Sequence, residues 1–317
     1  MIVVLTGGTG GAKFVDGLRQ LVSARELTFI VNTADDLKWW GLHVSPDLDS
    51  ITYGLAGLLS RERGWGVKGD TFFCLQAMGE VEEPIWFHVG DRDLAVHLLR
   101  SRLLAEGKTL TEATTEIARR LGVASRILPM SDSRVETRVD TAVGELTFQE
   151  YFVQRWYQDP VKSVRFDGIE KAIPAPGLIE VIRSASAVIL APSNPITSIG
   201  PILAVPGVRA ALRETQALIA AVSPIIGTAA YSGPAGVLMA AQGYPVSIAG
   251  VAKAYEDFLD LLVVDARDAE AAKALKGSAL RIECANTVMR TSEDKTKLAR
   301  TVMELLATSS SARATSD

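Results

Sequence analysis

A glycine-rich segment near the N-terminus has the composition of a phosphate-binding loop. Gly7-Gly8-Thr9-Gly10-Gly11-Ala12-Lys13 follows a short apolar run and precedes a helical pattern. Backbone N–H groups and the following helix N-terminus can approach a phosphate closely there. Lys13 stands where the dinucleotide fingerprint has its third glycine, and Phe14 stands where the P-loop has Ser or Thr. We therefore predict a generic phosphate loop, with a ligand-free strand-to-helix turn as the alternative.

Four aspartates follow the second apolar run of the chain. Asp35 and Asp36 belong to the motif NTADD, and Asp47 and Asp49 belong to SPDLDS. The loops that follow parallel strands open onto one crevice, so these acids should face the glycine loop. They would repel a phosphate unless a divalent cation lay between, and Mg²⁺ binds carboxylates together with phosphate oxygens. We predict that these four residues bind Mg²⁺; helix capping by Asp47 and Asp49 is the alternative.

Two further blocks suit the binding of a flat ring and of a nucleotide. GWGVKGDTF (residues 64–72) and GDRD (residues 90–93) combine aromatic rings with paired charges, although core packing and helix capping would also account for them, and we favour capping for Asp93. APSNPITSIG (residues 191–200) offers hydroxyls and an amide directly after an apolar run. Similar polar loops occur at residues 223–227 and 232–236.

The pattern of apolar runs predicts an α/β fold with a Rossmann-like, mostly parallel sheet and helices on both faces. Runs without polar alternation are typical of strands covered on both sides. The predicted strands are residues 2–6, 27–32, 187–190, 218–222, 246–249 and 261–264. The predicted helices are residues 49–59, 94–104, 111–121, 178–184, 236–242 and 292–306.

Length and pattern predict a single domain over residues 1–317 with an insertion. Residues 141–148 read as a hairpin, and we place an inserted α+β sub-domain at about residues 105–175. Residues 308–317 are small and polar, which predicts a flexible tail.

Composition excludes several classes of protein. Lys and Arg total 33 and Asp and Glu total 37, a net charge of −4 without a basic stripe, so nucleic acid is not an expected partner. Residues 215–252 carry no charge, but three prolines interrupt them, so no membrane association is expected. The start lacks the features of a signal peptide, and Cys74 and Cys284 stand far apart, which predicts a reducing, cytoplasmic location.

The ordered blocks resemble one known family. GGTGGAK, NTADD, SPDLDS, GWGVKGDTF, GDRD, PMSD, APSNPITSIGPI, VSPIIG and SGPAG follow one another between Gly7 and about Asp294. This series resembles the 2-phospho-L-lactate transferase family (CofD/FbiA-like) of deazaflavin coenzyme F-420 biosynthesis. Each block alone is weakly specific, whereas the series is highly specific.

The resemblance implies a reaction between a nucleotide-linked donor and a deazaflavin. The donor would be a guanosine diphosphate ester of a small acid, such as lactyl-2-diphospho-5'-guanosine, and the acceptor would be the free deazaflavin FO. A ribityl hydroxyl of FO would attack the phosphorus next to the acid and release GMP, with Mg²⁺ required. The transferred group would be phospholactyl, phosphoenolpyruvyl or phosphoglyceryl. A homodimer is the family expectation.

The resemblance also implies roles for individual residues. Asp47 and Asp49 would be catalytic, and Asp49 and His88 match acceptor positions, although archaeal members often have lysine at His88. The full set of predicted acceptor residues is Asp49, His88, Trp65, Asp91 and Arg92. The predicted donor residues are Gly7, Gly8, Thr9, Gly10, Lys13, Asn32, Ser193, Asn194 and Pro195.

Two other functions remain open on the sequence. A regulatory protein of the gluconeogenesis-factor type shares the fold and parts of the glycine and PSNP blocks, and would bind a sugar nucleotide without turnover. An NAD-dependent oxidoreductase fits the β-α-β start but fails the glycine spacing. The acidic and aromatic blocks favour the transferase.

Overall fold

The computed structural model describes residues 1–275 and 280–314. Its strands are β1 (Ile2–Thr6), β2 (Leu27–Val31), β3 (Leu37–Trp39), β4 (Leu42–Val44), β5 (Arg126–Pro129), β6 (Glu136–Thr141), β7 (Gly144–Thr147), β8 (Val161–Asp167), β9 (Ala187–Leu190), β10 (Leu218–Val222), β11 (Ile225–Ile226), β12 (Ala229–Ala230), β13 (Leu261–Asp265) and β14 (Arg281–Ala285). Its α-helices are α1 (Gly8–Leu18), α2 (Pro46–Ala56), α3 (Phe73–Glu80), α4 (Asp91–Ala105), α5 (Leu110–Arg120), α6 (Leu178–Arg183), α7 (Ile199–Ala204), α8 (Val208–Glu214), α9 (Ala235–Ala241), α10 (Ile248–Ala254), α11 (Ala269–Ala274) and α12 (Ser292–Ala314). A π-helical turn covers Glu150–Gln154.

A seven-stranded parallel sheet forms the centre of the fold. Its strand order is β14-β13-β10-β9-β1-β2-β5. The chain therefore builds outward from β1 in one direction through β2 and β5, and later in the other direction through β9, β10, β13 and β14. This reversal leaves a crevice at the carboxyl ends of β1 and β9, the place where open α/β sheets bind ligands.

Apolar side chains on both faces of the sheet make two separate cores. In β1, Ile2 and Val4 point into one core, and Val3 and Leu5 point into the other. Helices α1, α2, α5 and α12 contribute to the first core, and α6 to α10 contribute to the second. The predicted fold class, a parallel sheet with helices on both faces, is confirmed.

One predicted strand is wrong. Residues 246–249 lead into helix α10 instead, because Ser247 is its N-cap and Ile248 is its first residue. A run of a few apolar residues cannot distinguish a buried strand from the first turn of a buried helix by periodicity.

The middle of the chain contains a second sheet. Strands β7, β6 and β8 form an antiparallel three-stranded sheet, and the predicted hairpin is the β6–β7 connection, with Thr141 opposite Gly144. This sheet lies inside the range predicted for the sub-domain, about residues 105–175. Within the same range, β5 pairs with β2 in the central sheet and α5 packs against β5. The limits of an independent sub-domain stay a prediction.

The C-terminal helix is longer than the predicted 292–306, and the uncharged central segment forms short strands and helices. Helix α12 extends through Ala314, while residues 315–317 of the predicted flexible tail lie outside the described residues. Among the helices that the structure describes, none combines the length and the apolar character needed to cross a bilayer. The uncharged residues 215–252 contain β10, β11, β12, α9 and most of α10.

Helix α1 lies so close to α12 that one glycine has no room for a side chain. A Cβ added to Gly17 would overlap the carbonyl oxygen of Lys295. We therefore expect Gly17→Ala to lower the free energy of unfolding by about 1–3 kcal/mol, the usual cost of overpacking. Urea denaturation followed by circular dichroism measures this change.

A second helical glycine provides the matched control. The nearest atom to a Cβ on Gly54 in α2 is the Ala12 oxygen at 3.7 Å, an ordinary contact. Gly54→Ala should therefore keep the stability or raise it by up to about 1 kcal/mol through helix propensity. Equal losses in the two variants would show that the approach of α12 to α1 is not the constraint.

Candidate functional site

The loops after β1 and β9 meet at the topological switch point. The Ser193 hydroxyl donates to the Gly7 carbonyl oxygen at 2.7 Å, and the Gly7 N–H donates to the Ser193 Oγ at 3.3 Å. A Cβ on Gly10 would overlap the carbonyl oxygen of Pro192. The glycine loop thus has a packing requirement of its own, and it lies against the predicted donor residue Ser193.

One buried amide gathers the acidic residues of the second loop. Asn32 Nδ2 donates to Asp35 Oδ2 at 2.9 Å, to Asp47 Oδ2 at 3.0 Å and to the Thr197 carbonyl oxygen at 3.1 Å. The other oxygen of Asp47 accepts from the Gly8 N–H at 2.8 Å. Asp35, Asp47 and the glycine loop are therefore parts of one site, which the sequence predicted on the basis of strand ends.

Burial makes these carboxylates unusually weak acids. Desolvation raises the pKa of Asp47 to about 6, although Asn32 and Gly8 donate hydrogen bonds to it. Desolvation and the charge of Asp47 together raise the pKa of Asp35 well above its usual value. Two close carboxylates without an adjacent cation favour a proton or a metal ion between them.

Asp36 belongs to the edge of the same cluster. Its Oδ2 accepts from the Ser45 hydroxyl at 2.6 Å and lies 2.9 Å from His43 Nε2. Desolvation raises the pKa of Asp36, and the hydrogen bond and charge of His43 oppose that rise. Asp36 therefore already has a partial counter-charge, unlike Asp35 and Asp47.

Asp49 lies in a different buried network. Arg100 of α4 donates to both of its oxygens, at 3.1 Å through one nitrogen and at shorter range through the other. Both side chains are almost completely buried, and the Asp49 charge holds the pKa of Arg100 above its usual value even though desolvation lowers it. Asp49 is thus paired with an arginine, while Asp47, two residues away, is not.

The same network continues along α4. His97 Nδ1 lies 3.6 Å from Asp49, its Nε2 lies 3.4 Å from Asp93, and the Tyr53 hydroxyl donates to Asp93 at 2.6 Å. Asp93 therefore accepts a hydrogen bond from Tyr53 inside the protein and is not the N-cap of α4 that the sequence suggested. The network ties α2 to α4.

The carboxylates beside the glycine loop and the Asp49 network differ in their suitability for a metal ion. Oδ1 of Asp35 and Oδ1 of Asp36 are buried and accept no hydrogen bond of normal geometry from the described residues. Mg²⁺ needs only one or two carboxylates when phosphate and water complete its shell, so Asp35 and Asp47 fit it. Asp49, Asp93 and His97 also have ligand atoms within 4.8 Å of one another, but Arg100 already supplies positive charge there.

The aromatic and charged blocks form a pair of reciprocal helix caps. Asp70 accepts from the N–H groups of Arg92 and Asp93 at 2.8 and 3.1 Å, which caps α4. Asp91 accepts from the N–H groups of Phe73 and Cys74 at 3.0 and 2.9 Å, which caps α3. Asp91, predicted to bind the deazaflavin, thus has a structural role as a helix cap. Hydrogen bonds from Thr71 and Cys74 lower its pKa.

Other predicted acceptor residues lie next to these caps. The Trp65 ring centroid is 6.4 Å from that of the exposed His88 and 6.5 Å from that of Phe72. Arg92 donates from its side chain to the Lys68 carbonyl oxygen at 3.1 Å and is exposed. A flat ligand therefore has an accessible ring and accessible polar groups here.

The remaining donor predictions fall at several places. Thr9 is exposed at the start of α1, and Pro195 is buried. Asn194 Oδ1 accepts from the Ile196 N–H at 2.9 Å, so its side chain supports its own loop. Lys13 lines a small pocket with Asp16, Arg19 and Lys295, to the side of the carboxylate cluster.

Comparison with known proteins identifies the family. A family model described as 2-phospho-L-lactate transferase CofD matches residues 2–307. The chain belongs to this family. A 2-phospho-L-lactate transferase of Methanosarcina acetivorans is 41% identical over 307 residues, with 97% of this chain and 99% of the relative covered. A relative of the same name from Methanothermobacter thermautotrophicus is 41% identical, with 96% and 97% covered.

A solved structure supports the fold. A crystal structure of a UPF0052-family protein from Bacillus halodurans aligns with a TM-score of 0.65 and 18% identity, covering 95% of this chain and 98% of that chain. That likeness concerns the fold alone. Membership of the CofD family makes the chain a transferase and favours this interpretation over the regulatory and oxidoreductase alternatives.

Sequence reasoning missed the partners of Asp49. Asp93, His97 and Arg100 recur at spacings of four and three residues on α4, which places them on one helix face. That spacing was a usable signal. Their pairing with Asp49 of this transferase had no local signal, because Asp49 and Arg100 are 51 residues apart.

The raised pKa of Asp47 predicts a pH-dependent stability. Its pKa of about 6 in the folded chain exceeds the unfolded value, so its contribution to stability is lost as the pH rises through about 6. Asp47→Asn stays neutral, and in EDTA at about pH 7.5 it should unfold at a higher temperature than the wild type. This gain should shrink at about pH 4.5, as thermal melts followed by circular dichroism would show. A gain that is independent of pH would contradict this cause.

The buried ion pair predicts a large loss when one partner is removed. Arg100→Met leaves the Asp49 charge buried without its partner, which should lower the free energy of unfolding by about 3–5 kcal/mol. The double variant Asp49→Asn with Arg100→Met removes both charges and should recover part of the loss. Guanidinium denaturation measures both, and a double variant less stable than Arg100→Met would refute the pairing.

Proposed function

We propose that this chain catalyses the Mg²⁺-dependent transfer of a phospholactyl-type group from a guanosine-diphosphate-linked donor to the ribityl hydroxyl of FO, releasing GMP. The group would be phospholactyl, phosphoenolpyruvyl or phosphoglyceryl. Family membership supports the reaction class. The observation that carries the proposal is the buried pair Asp35 and Asp47 beside the glycine loop, because an uncompensated carboxylate pair suits a cation shared with a diphosphate.

The donor diphosphate would lie between the glycine loop and the loop after β9. Thr9 is exposed at the start of α1, where the helix dipole favours negative charge. Asp35 and Asp47 would hold the Mg²⁺ there. When bound, that ion would neutralise charge on the diphosphate and on the group that leaves as GMP.

The protein would act on the ribityl hydroxyl of FO by orienting it, without forming a covalent intermediate. Transfer at phosphorus depends on positioning and charge stabilisation, so no nucleophilic side chain is required. As a ligand of Mg²⁺, Asp47 would contribute by placing the cation against the diphosphate that the hydroxyl attacks. Asp49 and Arg100 would act by fixing the first turn of α2, which carries Asp47.

The deazaflavin ring would lie at Trp65 and His88. Trp65 is half-buried and His88 is exposed, and Arg92 of the same pair of blocks is exposed as well. The imidazole of His88 would donate a weaker hydrogen bond than the charged ammonium group of a lysine. A homodimer and a cytoplasmic location stay predictions from the sequence.

The reaction is tested directly with its own substrates. Protein, FO, Mg²⁺ and the guanylylated donor should give a phosphodiester product and an equal amount of GMP. Chromatography with fluorescence detection follows FO, and mass spectrometry of the product identifies the small acid. Saturable binding of donor and FO without any GMP would refute the proposed transfer.

The role of Asp47 predicts two losses in one variant. Asp47→Asn should lower kcat by about 100-fold or more, because the variant loses charge at the diphosphate. Mg²⁺ should raise the melting temperature of the wild type and leave that of Asp47→Asn unchanged. Glu170→Gln, which removes an exposed carboxylate outside the glycine loop and the acidic loop, is the control and should behave as the wild type. Mg²⁺ stabilisation of Asp47→Asn equal to that of the wild type would exclude Asp47 as a ligand.

A further inference from the structure

A small cavity lies between α1, the end of α2 with its following loop, and the first turn of α12. Its volume is about 40 Å³, enough for about three water molecules or one small polyatomic ion. The charged residues that line it are Lys13, Asp16 and Arg19 of α1, Arg61 of the loop after α2, and Lys295 of α12. The lining therefore combines four cations with a single carboxylate.

The single carboxylate is already paired with two of the cations. Asp16 Oδ1 accepts from Arg19 Nε and Nη2 at 3.0 and 2.8 Å, and Asp16 Oδ2 accepts from Lys295 Nζ at 3.0 Å. The side chains of Asp16 and Lys295 are both 8% exposed. Burial raises the pKa of Asp16, but the hydrogen bonds from Lys295 and Arg19 hold it below its usual value. Asp16 is thus ionised and leaves the remaining cations without a counter-charge.

The other two cations have no partner in the protein. Within residues 1–275 and 280–314, the side chains of Lys13 and Arg61 take part in no hydrogen bond and no ion pair. Lys13 is half-buried, and Arg61 is exposed. Like charges repel each other more strongly where water is partly excluded, and an anion placed among them removes that repulsion. Lysine and arginine also donate charge-assisted hydrogen bonds to oxyanions.

The walls of the cavity are fixed before any ligand binds. The ion pair of Asp16 with Lys295 joins α1 to α12. A Cβ added to Gly57 would lie 3.9 Å from Arg19 Nη2, so the guanidinium reaches the end of α2. In the following loop, the Gly64 N–H donates to the Ser60 carbonyl oxygen at 2.9 Å. A preformed site of this kind needs little ordering when a ligand enters.

The cavity is separate from the reaction crevice. Lys13 and Asp16 follow Gly8 by five and eight residues, which places them about 8 and 12 Å further along the axis of α1. Gly54 and Gly57 line the cavity at the C-terminal end of α2, whereas Asp47 lies in the first turn of that helix. Lys13 therefore lies away from the position that its predicted donor role requires.

We propose that this cavity binds a small tetrahedral oxyanion, such as inorganic phosphate or sulfate, through Lys13, Arg19 and Arg61. The inference goes beyond the proposed function, because the site takes part in no step of the transfer. The bound ion would bridge α1 and the loop after α2, beside the ion pair that joins α1 to α12. Binding would thus stabilise the helix that follows the glycine loop.

Thermal melts followed by circular dichroism test the site. Phosphate and sulfate would be added at millimolar concentrations, below those at which excluded salts stabilise proteins in general, and compared with chloride at equal ionic strength. EDTA would remove divalent cations that could carry phosphate to the acidic loop. We expect phosphate and sulfate, but not chloride, to raise the melting temperature of the wild type in a saturable way.

Two arginine variants locate the effect. Arg61→Gln should weaken the apparent affinity for phosphate about tenfold, a normal loss for one hydrogen bond to a charged group. Because Arg61 is exposed and has no partner in the described chain, this variant should fold as the wild type does. Arg25→Gln removes an exposed arginine that does not line the cavity, and it should keep the wild-type affinity. Lys13→Gln should show a loss similar to that of Arg61→Gln.

The remaining outcomes are distinguishable. Equal stabilisation of Arg61→Gln and the wild type by phosphate would overturn the site, since it would show binding elsewhere or a general salt effect. A gain no larger than that with chloride would overturn it as well. Glycerol 2-phosphate separates two sources of the same chemistry in a confirmed site. Stabilisation equal to that by phosphate would assign the site to the phosphate group of a larger molecule, and no stabilisation would assign it to the free ion.

Discussion

The amide of Asn32 has two protons and three acceptors, and this imbalance shapes the site. Its acceptors are Asp35 in the loop after β2, Asp47 in the first turn of α2 and Thr197 in the loop after β9. These three segments are therefore held together by one side chain that cannot satisfy all three acceptors fully. Two of the acceptors are carboxylates whose pKa values are raised by burial, so any negative charge at the crevice lacks a counter-charge. Buried charge without a partner costs stability in the free protein and favours a bound cation.

The two aspartates of SPDLDS show how helix geometry separates similar residues. Asp47 and Asp49 are two residues apart in the first helical turn, so they point about 200° apart around the α2 axis. One meets Asn32 and the glycine loop, and the other meets Arg100 of α4. The first carboxylate stays uncompensated and available, whereas the second is neutralised and anchors the helix. A single motif thus provides both a candidate ligand residue and its support.

Several residues that suggest ligand binding are also needed for the fold. Asp70 and Asp91 cap each other's helices, and Gly10 leaves space for the Pro192 carbonyl oxygen. Such constraints do not compete with binding, because they fix the backbone that presents Trp65, His88 and the glycine loop. Rigid supports of this kind lower the entropy that a ligand must remove on binding. The glycine and acidic blocks of the family are therefore informative about both packing and chemistry.

The sequence by itself determined the fold class, five of the seven parallel strands and the meeting of the glycine loop with the acidic loop. These follow from local patterns, since apolar runs mark buried strands and successive strand ends share one edge of a sheet. It could not determine that residues 246–249 start a helix, because a short apolar run fits either structure. Nor could it show that Arg100 neutralises Asp49, or that the rings of Phe152 and Tyr157 stack beside the π-helical turn. Those features depend on contacts between residues far apart in sequence, and only the packing of the tertiary structure decides which distant charges and rings meet.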